Sequence, residues 1–422
     1  LKLAIRRFFG GRYVTNSQQD TKIYRTCDIF VQQSRDIKSP KNTVPQTVCE
    51  AGFQPVSEKT FNCPYCKGKD IVKKGRRKKK FETVQLYYCN NCKKVFTPQK
   101  VKGKQFPLSI ILDGLSLYNT GWTLEESCKL LKEKYGLEVK PSTLSDWVKE
   151  FQPLCRYSRM REFGLKLFSA NQVIQSVKLF HRQVFEFKYH RAKIALILQE
   201  FKHTRFEPLR EFLDLISVEC PHQLFRDGAR MSELKPGFDL SEVIFRKKHN
   251  FACRIAELVL QAVADNKLRH KAIQDFMIAN DSVSVACEVP VYLKEEDVEH
   301  MQKELGFVIP DIFSTPTGEK ISAITGHIDI LQIRNGAIHI LDYKPDAEKH
   351  RPIEQLTLYA IALSRLTGLR LYEFKCGWFD NESYFEFFPL HVIYKLRKKQ
   401  KEENPAQCKL PLVGGTTNGI QI

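Results

Sequence analysis

The 422-residue sequence predicts a multidomain chain, in which two small N-terminal units and a helical connector precede an α/β core with a mixed sheet flanked by helices. Three observations predict this fold class. Two Cys-x2-Cys pairs lie in the first quarter of the chain, three segments with helical apolar spacing follow, and an Asn-Gly turn joins two apolar runs in the last third. A chain of this length is expected to divide into two or three domains.

Changes in composition and periodicity set the predicted domain boundaries. Residues 1–58 lack firm periodicity, whereas 184–201 and 206–216 show the apolar spacing of helices. We expect an N-terminal extension at 1–58, a cysteine-bearing unit at 59–104, a three-helix unit at 105–152, a helical connector at 153–235, the α/β domain at 236–395 and a mobile tail at 396–422.

Four cysteines have the spacing of a structural metal site. Cys63 and Cys66 form one pair, and Cys89 and Cys92 form a second after 22 intervening residues. Four thiolates in a tetrahedral arrangement select zinc and leave no open position on the ion. The spacing therefore predicts a zinc ribbon with one structural Zn²⁺. Disulfides or redox chemistry are weaker alternatives, because the other cysteines are scattered along the chain.

A basic run lies between the two cysteine pairs, with seven cations in eight consecutive positions. Such a run is usually a solvated face. This one is flanked by the metal-binding pairs and followed by Phe81, Tyr87 and Tyr88. We predict a loop that contacts nucleic-acid phosphates without reading sequence, through Lys73, Lys74, Arg76, Arg77, Lys78, Lys79 and Lys80.

Three helices are predicted after the basic run. Apolar spacing indicates the first at 108–118, Thr123 caps the second, which stops at Gly136, and Pro141 opens the third. Leu144 of the third helix would pack inward, and DNA groove contacts are expected from Ser142, Thr143, Ser145 and Lys149. Together with the zinc ribbon, this helix-turn-helix resembles the N-terminal DNA-binding half of insertion-sequence transposases. A generic three-helix bundle is the alternative.

Two aspartates face each other across a predicted hairpin. The Asn335-Gly336 turn places Asp329 opposite Asp342. Opposed residues have Cβ atoms about 5 Å apart, and like charges there are unfavourable unless a cation compensates. Because side chains alternate along a strand, Lys344 lies on the same face as Asp342. The pattern favours a divalent-metal site, with a surface hairpin of scattered charges as the alternative.

Five motifs occur in order around this hairpin. They are a helix opened by His249, a Glu-x-Pro strand at Glu288, Gly-x-Ile-Asp ending at Asp329, Asp-Tyr-Lys at 342–344 and Gln-x3-Tyr at 355–359. This order resembles the PD-(D/E)XK nuclease superfamily, and most of all its RecB-like branch. The resemblance covers about residues 240 to 390 and implies a restriction-endonuclease-like core that hydrolyses phosphodiester bonds.

The resemblance also implies roles for the matching residues. Asp329 and Asp342 would hold Mg²⁺ or Mn²⁺, with the carbonyl of Tyr343 as a further ligand. Lys344 would position or deprotonate the attacking water, or hold the phosphate.

The remaining motif residues would assist this site. Gln355 and Tyr359 are four residues apart, share a helix face and would point at the substrate or the lysine. His249 and Glu288 complete the expected catalytic set. The alternative for His249 is a helix-start histidine without a ligand role.

Composition agrees with a nucleic-acid partner. The chain has 67 Lys and Arg against 48 Asp and Glu, which gives a net charge of +19 and attracts polyanions. It has no apolar run of about 18 residues and no secretory signal. The charge alone does not distinguish DNA from RNA, or either from an acidic membrane. With the resemblances described above, we expect DNA as the partner, no membrane partner, and a cytoplasmic, nucleoid-associated location.

The sequence thus predicts a Mg²⁺-dependent DNA nuclease that a zinc ribbon and helix-turn-helix direct to DNA, in a mobile-element, defence or DNA-repair context. A Gly-x4-Gly-Lys-Ser/Thr motor loop is missing, so cutting would depend on the chain's own DNA binding or on a helicase or mobile-element partner. A homodimer stays open because one active site per chain would need a second copy for double-strand cuts. The alternatives are a non-catalytic DNA-binding regulator on a nuclease-like scaffold and a transposase-related DNA-processing protein. The choice between endonuclease and exonuclease also stays open.

Overall fold

The computed structural model describes residues 62–97, 104–155, 158–200, 203–241, 243–263, 265–314, 318 and 320–394. The extension predicted at 1–58 and the tail predicted at 396–422 lie outside these ranges. Within the described part of the chain, every helix is too short or too polar to cross a membrane.

The cysteine-bearing unit is a three-stranded antiparallel sheet of β1 (Ile71–Lys78), β2 (Thr83–Cys89) and β3 (Val95–Phe96). The predicted basic loop is wrong in form, because residues 73–78 lie in β1 and only Lys79 and Lys80 lie in the turn. Gly75, at φ +81°, forms a bulge at which the register with β2 shifts. Because β1 is an edge strand exposed on both faces, its cations reach solvent on either side.

The three predicted helices are present as α1 (Leu108–Asn119), α2 (Leu124–Tyr135) and α3 (Pro141–Phe151). The Thr123 hydroxyl accepts a hydrogen bond from the Glu126 amide, and the Glu126 carboxylate accepts one from the Thr123 amide. Gly136 ends α2 in the left-handed conformation. Leu144 of α3 is buried, as predicted, and so is Trp147.

The C-terminal part is a mixed sheet of nine strands flanked by helices, which confirms that part of the predicted fold. The strand order is β4-β5-β8-β9-β10-β11-β12-β7, and β6 pairs with β9. The pairs β10–β11 and β6–β9 are parallel, and the other neighbours are antiparallel. The strands are β4 (Ile174–His181), β5 (Gln183–His190), β6 (Ala229–Arg230), β7 (Arg246–Lys248), β8 (Ser284–Leu293), β9 (Ile324–Arg334), β10 (Ala337–Tyr343), β11 (Phe374–Phe379) and β12 (Tyr384–Phe387).

The helices of this part divide between the two faces of the sheet. They are α4 (Ser158–Leu167), α5 (Arg191–Glu200), α6 (Glu207–Glu219), α7 (His222–Asp227), α8 (Phe251–Val259), α9 (Arg269–Asn280), α10 (Glu295–Leu305), α11 (Ile353–Thr367) and α12 (Leu390–Ile393). Helices α5, α6, α10 and α11 pack with Leu331 and Ile340 on one face. Helices α8, α9 and the three-helix unit pack with Ile330 and Leu341 on the other.

The predicted helical connector at 153–235 is wrong in part. Residues 174–190 form the β4–β5 hairpin, and β5 pairs with β8, so the sheet begins well before residue 236. In β5, Phe185, Phe187 and Tyr189 alternate with Glu186 and Lys188. That period of two is the period of a strand, so the helix predicted at 184–201 is wrong for β5 and correct for α5.

A buried polar contact joins the three-helix unit to the sheet domain. The Asn119 amide of α1 donates to the Asn280 carbonyl oxygen of α9 at 2.7 Å. The Asn280 amide donates to the Ser116 hydroxyl at 2.8 Å. Because α1 and α9 also share one apolar core, the three-helix unit is docked on the sheet domain.

Candidate active site

The β9–β10 hairpin places the two predicted aspartates opposite each other. Asn335 and Gly336 have φ values of +52° and +70°, as a two-residue hairpin turn of this type requires. The pairing runs from Arg334–Ala337 at the turn to Ile330–Leu341. Asp329 and Asp342 are the next residues on the two strands, and their carboxylates are close enough for each to shift the pKa of the other.

Each aspartate has a cationic or imidazole neighbour. Lys344 Nζ lies 2.8 Å from Asp342 Oδ2, and His270 Nδ1 lies 3.3 Å from Asp329 Oδ2. Besides these two contacts, no donor in the described ranges lies within hydrogen-bonding reach of Asp329 Oδ2 or of either Asp342 oxygen. Buried carboxylate oxygens with so few donors are costly. They are also the hard ligands that Mg²⁺ prefers, so the donor set fits a divalent cation.

The electrostatics of the pair follow from burial and closeness. Burial and the charge of Asp329 raise the pKa of Asp342 well above its usual range. Burial would also raise the pKa of Asp329, but hydrogen bonding to His270 and Asp342 lowers it. For Lys344, burial opposes the charge, yet Asp342 and Asp329 raise its pKa, so its side chain is an ammonium ion. Before any metal binds, the site thus combines a positively charged Lys344 with two aspartates whose pKa values are shifted in opposite directions.

Glu288 supplies a third carboxylate from β8. It lies opposite Asp329, between two paired positions of β8 and β9, at φ +52°. This left-handed backbone is unfavourable for a residue with a Cβ and often accompanies a functional site. Gln274 Nε2 donates to Glu288 Oε1 at 2.7 Å. Burial and the charge of Asp329 raise the pKa of Glu288 to about 8.

Gln355 and Tyr359 lie on the same face of α11, as their spacing predicts. Gln355 Nε2 donates to Tyr359 Oη at 2.8 Å, and both side chains line one cleft with Asp329. Burial and the charge of Asp329 raise the pKa of Tyr359, so it remains a neutral phenol. A Cβ at Gly326 would lie only 2.4 Å from Tyr359 Cε1, so a glycine there lets the ring approach β9.

The histidine that contacts Asp329 is His270, which the sequence analysis missed. His249 is exposed between β7 and α8, and its catalytic role stays a prediction. Helix α9 was not predicted, although its His270 and Gln274 are four residues apart and therefore share a face. That spacing was the available signal, since both residues contact carboxylates of the site.

Tyr343 lies between Asp342 and Lys344 in the Asp-Tyr-Lys motif. Its ring is buried and packs edge-on against His270, with ring centroids 5.0 Å apart, and against Phe379 at 5.8 Å. The side chain thus supports the site from the opposite face of β10. The predicted role of the Tyr343 carbonyl as a metal ligand stays a prediction.

A cleft of about 150 Å³ opens beside the carboxylates, and Glu288 and Asp329 line it. Much of its wall comes from the region predicted as a connector. The Arg182 guanidinium donates to the carbonyls of Arg226 at 2.7 Å and Gly228 at 2.9 Å, which fixes its position. The wall residues outside the predicted motifs include His181, Arg182, Phe185, Phe225, Arg230 and Ser232.

The four cysteines of the N-terminal sheet meet at one point. Their sulfur atoms all lie within 4.8 Å of one another. The Cys63–Cys92 and Cys66–Cys89 sulfur atoms are each 3.5 Å apart. Four sulfurs at about 2.3 Å from a tetrahedral ion would be about 3.8 Å apart, so the arrangement fits such an ion after a small expansion.

Comparison with known proteins identifies the domain that holds the carboxylates. No curated protein and no solved structure matches the chain. A family model described as the PD-(D/E)XK nuclease superfamily matches residues 245–387, a range that contains Glu288, Asp329, Asp342 and Lys344. Residues 245–387 therefore form a PD-(D/E)XK nuclease superfamily domain.

Proposed function

We propose that this chain is a metal-dependent DNA nuclease. The observation that supports this best is the convergence of Glu288, Asp329 and Asp342 beside the Lys344 ammonium, where the buried oxygens of the two aspartates have few hydrogen-bond donors. Such a cluster is unfavourable without a cation, and proteins keep unfavourable local arrangements mainly where function requires them.

Each residue has a task in phosphodiester hydrolysis. Asp329 and Asp342, with the Tyr343 carbonyl, would hold Mg²⁺ or Mn²⁺. When bound, the ion lowers the pKa of a water and offsets charge on the scissile phosphate. Lys344 holds a phosphate oxygen or orients the attacking water. Glu288 adds a carboxylate to the same cleft and is oriented by its hydrogen bond from Gln274.

The remaining cleft residues would position the substrate. Gln355 fixes the Tyr359 hydroxyl through a 2.8 Å hydrogen bond. Arg182 and Arg230 add positive charge to the wall, where the phosphates of a nucleic acid would pass. His249 is kept as a further candidate on the basis of its order in the RecB-like motif series.

The N-terminal units would direct the nuclease to DNA. Cys63, Cys66, Cys89 and Cys92 would bind one structural Zn²⁺ in a zinc ribbon. The exposed cations of β1 would contact phosphates, and α3 would act as the recognition helix of a helix-turn-helix. On α3, Ser142 and Lys149 are exposed and Thr143 and Ser145 are partly exposed.

The three-helix unit is docked on the sheet domain, which supports the proposal that the N-terminal units bind the DNA that the sheet domain cuts. The Asn119–Asn280–Ser116 hydrogen bonds and the shared apolar core hold α1 against α9. Helix α9 also carries His270 and Gln274, which contact the site carboxylates. DNA bound by α3 would therefore have a defined placement relative to the cleft, as expected for a mobile-element, defence or repair nuclease.

Cleavage of linear, circular, single-stranded and branched DNA in Mg²⁺ and in Mn²⁺ tests the catalytic part. We expect the wild type to cut at least one substrate, and Asp342→Asn and Lys344→Ala to lose at least about 100-fold in rate, since metal and charge stabilisation supply several kcal/mol of the barrier. Glu296→Gln, which removes an exposed carboxylate on α10, is the matched control and should cut normally.

The opposite result has a clear meaning. If no substrate is cut, or if the Asp342 and Lys344 variants cut as fast as the wild type, the chain is not this nuclease, and a non-catalytic DNA-binding protein is the better account. Products joined to a second DNA rather than hydrolysed would favour the transposase-related alternative.

Salt-dependent binding tests the targeting part. In the Asp342→Asn background, Arg76→Gln with Arg77→Gln should weaken duplex binding and reduce the slope of log K against log salt by about one per lost phosphate contact. Lys303→Gln, which removes an exposed cation of α10, is the control. If the slope of log K against log salt is the same for the wild type and all variants, β1 does not contact the DNA phosphates.

A further inference from the structure

A second group of metal-ligating side chains lies at the edge of the cleft. His181 is the last residue of β4, Cys220 follows α6, and His222 is the first residue of α7. One ligand atom from each residue lies within 4.8 Å of the other two. We propose that His181, Cys220 and His222 bind a zinc ion, separate from the ion of the carboxylate site and from that of the four-cysteine unit.

The distances fit a tetrahedral ion closely. His181 Nε2 lies 2.8 Å from His222 Nδ1, and Cys220 Sγ lies 3.8 Å from His181 Nε2. Ligands at about 2.0 Å for nitrogen and about 2.3 Å for sulfur would be about 3.3 Å apart for two nitrogens and about 3.6 Å for nitrogen and sulfur. The imidazoles need to separate by only about half an ångström.

A hydrogen bond between His181 and His222 is the alternative to a zinc site. It explains the contact between the two imidazoles, but it gives no reason for the Cys220 thiol to lie beside the same nitrogen of His181. A soft thiolate with two imidazoles is a donor set that favours Zn²⁺ over Mg²⁺ or Mn²⁺. The group therefore differs in chemistry from the carboxylate site.

His181 is already oriented for ligation through Nε2. Its Nδ1 lies 2.8 Å from His327 Nε2. With Nε2 on the ion, Nδ1 carries the proton and donates it to His327, the type of outer contact that orients most metal-bound histidines. The His181 ring stacks on Phe225 at 4.1 Å, and the His327 ring stacks on Phe185 at 3.6 Å, so neither imidazole is free to turn.

The backbone brings the other two ligands together at the surface. Only Pro221 separates Cys220 from His222, and the His222 amide donates to the Cys220 carbonyl at 2.8 Å. His222 is exposed, so an ion can reach the group from solvent, and the thiol proton leaves to solvent as the ion binds. Among the described residues three ligands are available, which leaves a fourth position for water or an anion.

The ion would join α7 to β4 at the cleft wall. His181 lines the cleft, and His327 lies two residues before Asp329 on β9. A zinc ion there fixes the wall that faces the carboxylates without providing any of their ligands. The site can therefore exist whether or not the chain cuts DNA.

Zinc content of the full chain tests the proposal directly. After dialysis against a weak chelator, we expect His222→Gln and Cys220→Ser each to contain one zinc fewer per chain than the wild type, by elemental analysis. His300→Gln, which changes an exposed histidine on α10, is the matched control and should equal the wild type. Because His222 is exposed, its replacement opens no cavity in the core.

A cobalt-substituted sample gives a second readout. Cys220→Ser should remove the absorption of one thiolate-to-cobalt bond, and the four-thiolate spectrum of the N-terminal unit should persist. Equal zinc content and equal cobalt spectra in wild type and both variants would overturn the proposal. Neither measurement depends on cleavage, so a failure here is distinct from a failure of the nuclease proposal.

Discussion

Replacing Asp342 with asparagine should stabilise the metal-free protein and abolish its stabilisation by Mg²⁺. Asp342 is 2 % exposed, lies close enough to Asp329 for the two charges to interact, and has Lys344 as the one cationic partner of its carboxylate among the described residues. Asparagine keeps the shape of the side chain and removes the charge. The substitution therefore separates the cost of the carboxylate pair from its use as a metal site.

The magnitude follows from two opposing contacts. Two unit charges about 4 Å apart repel by about 4 kcal/mol at an effective dielectric constant of about 20. Against this, the substitution loses the ion pair between Asp342 and Lys344, whose atoms are 2.8 Å apart and whose attraction is about 6 kcal/mol on the same scale. The burial of the Asp342 carboxylate decides the sign, because burial is the largest cause that raises the pKa of Asp342 well above its usual range, so the folded protein favours a neutral side chain there. Asparagine is such a side chain, and we expect a net gain of about 1–2 kcal/mol in the free energy of unfolding without metal.

Thermal unfolding in EDTA and in Mg²⁺ measures both effects. In a domain of 150–250 residues, 1 kcal/mol shifts Tm by about 2–4 °C, so Asp342→Asn should unfold several degrees above the wild type in EDTA. Mg²⁺ at about 100 times its Kd should stabilise the wild type by about 2.7 kcal/mol and the variant hardly at all. Glu296→Gln should respond to Mg²⁺ as the wild type does.

Two results would refute this reasoning. If Asp342→Asn is less stable than the wild type in EDTA by more than about 1 kcal/mol, the ion pair with Lys344 outweighs the repulsion, and the carboxylate pair is not unfavourable. If Mg²⁺ stabilises both proteins equally, the ion binds somewhere other than between Asp329 and Asp342.

Three further substitutions test the packing, protonation and docking described above. Gly326→Ala should displace the Tyr359 ring, since the new Cβ would lie 2.4 Å from it, and should slow cleavage at least about 10-fold while costing about 1–3 kcal/mol in denaturant unfolding. Because the pKa of Glu288 is about 8 when folded, above its usual 4.5, the metal-free protein should lose stability as pH rises from about 4.5 to 8, and Glu288→Gln should flatten that loss in a pH series of unfolding curves. Asn280→Ala should leave the Asn119 amide unpaired and lower the free energy of unfolding by about 1–3 kcal/mol, whereas an unchanged denaturation midpoint would show that this contact does not hold the three-helix unit.

The hairpin could be predicted from sequence because its determinants are local. The two-residue Asn335-Gly336 turn sets the register from Arg334–Ala337 to Ile330–Leu341, and Asp329 and Asp342 are the next residues on the two strands. The capping box at Thr123 is local in the same way. In both places neighbouring residues determine the geometry, so no tertiary contact had to be known.

Contacts between distant segments could not be predicted in this way. Helix α9 brings His270 to Asp329 from outside the motif series, and no local pattern says which helix will pack there. The alternation of β5 is a local signal for a strand, but the place of the β4–β5 hairpin in the sheet follows from the pairing of β5 with β8, about a hundred residues further along the chain. His181, Cys220 and His222 likewise meet only after β4 and α7 have packed together.

Under the proposed function, chemistry and substrate choice would have different origins in this chain. Residues 245–387 match the nuclease superfamily and supply the carboxylates and the lysine, which would act alike on any phosphodiester. Arg182, Arg230 and Ser232 lie outside that range and line the same cleft, on strands and turns that this chain adds to the sheet. A substrate that reaches Asp329 must pass this wall, so preference for one DNA form over another would depend on the wall rather than on the carboxylates. Arg182→Gln should accordingly change the ranking of DNA substrates in the cleavage assay, whereas Asp342→Asn should lower the rate on all of them.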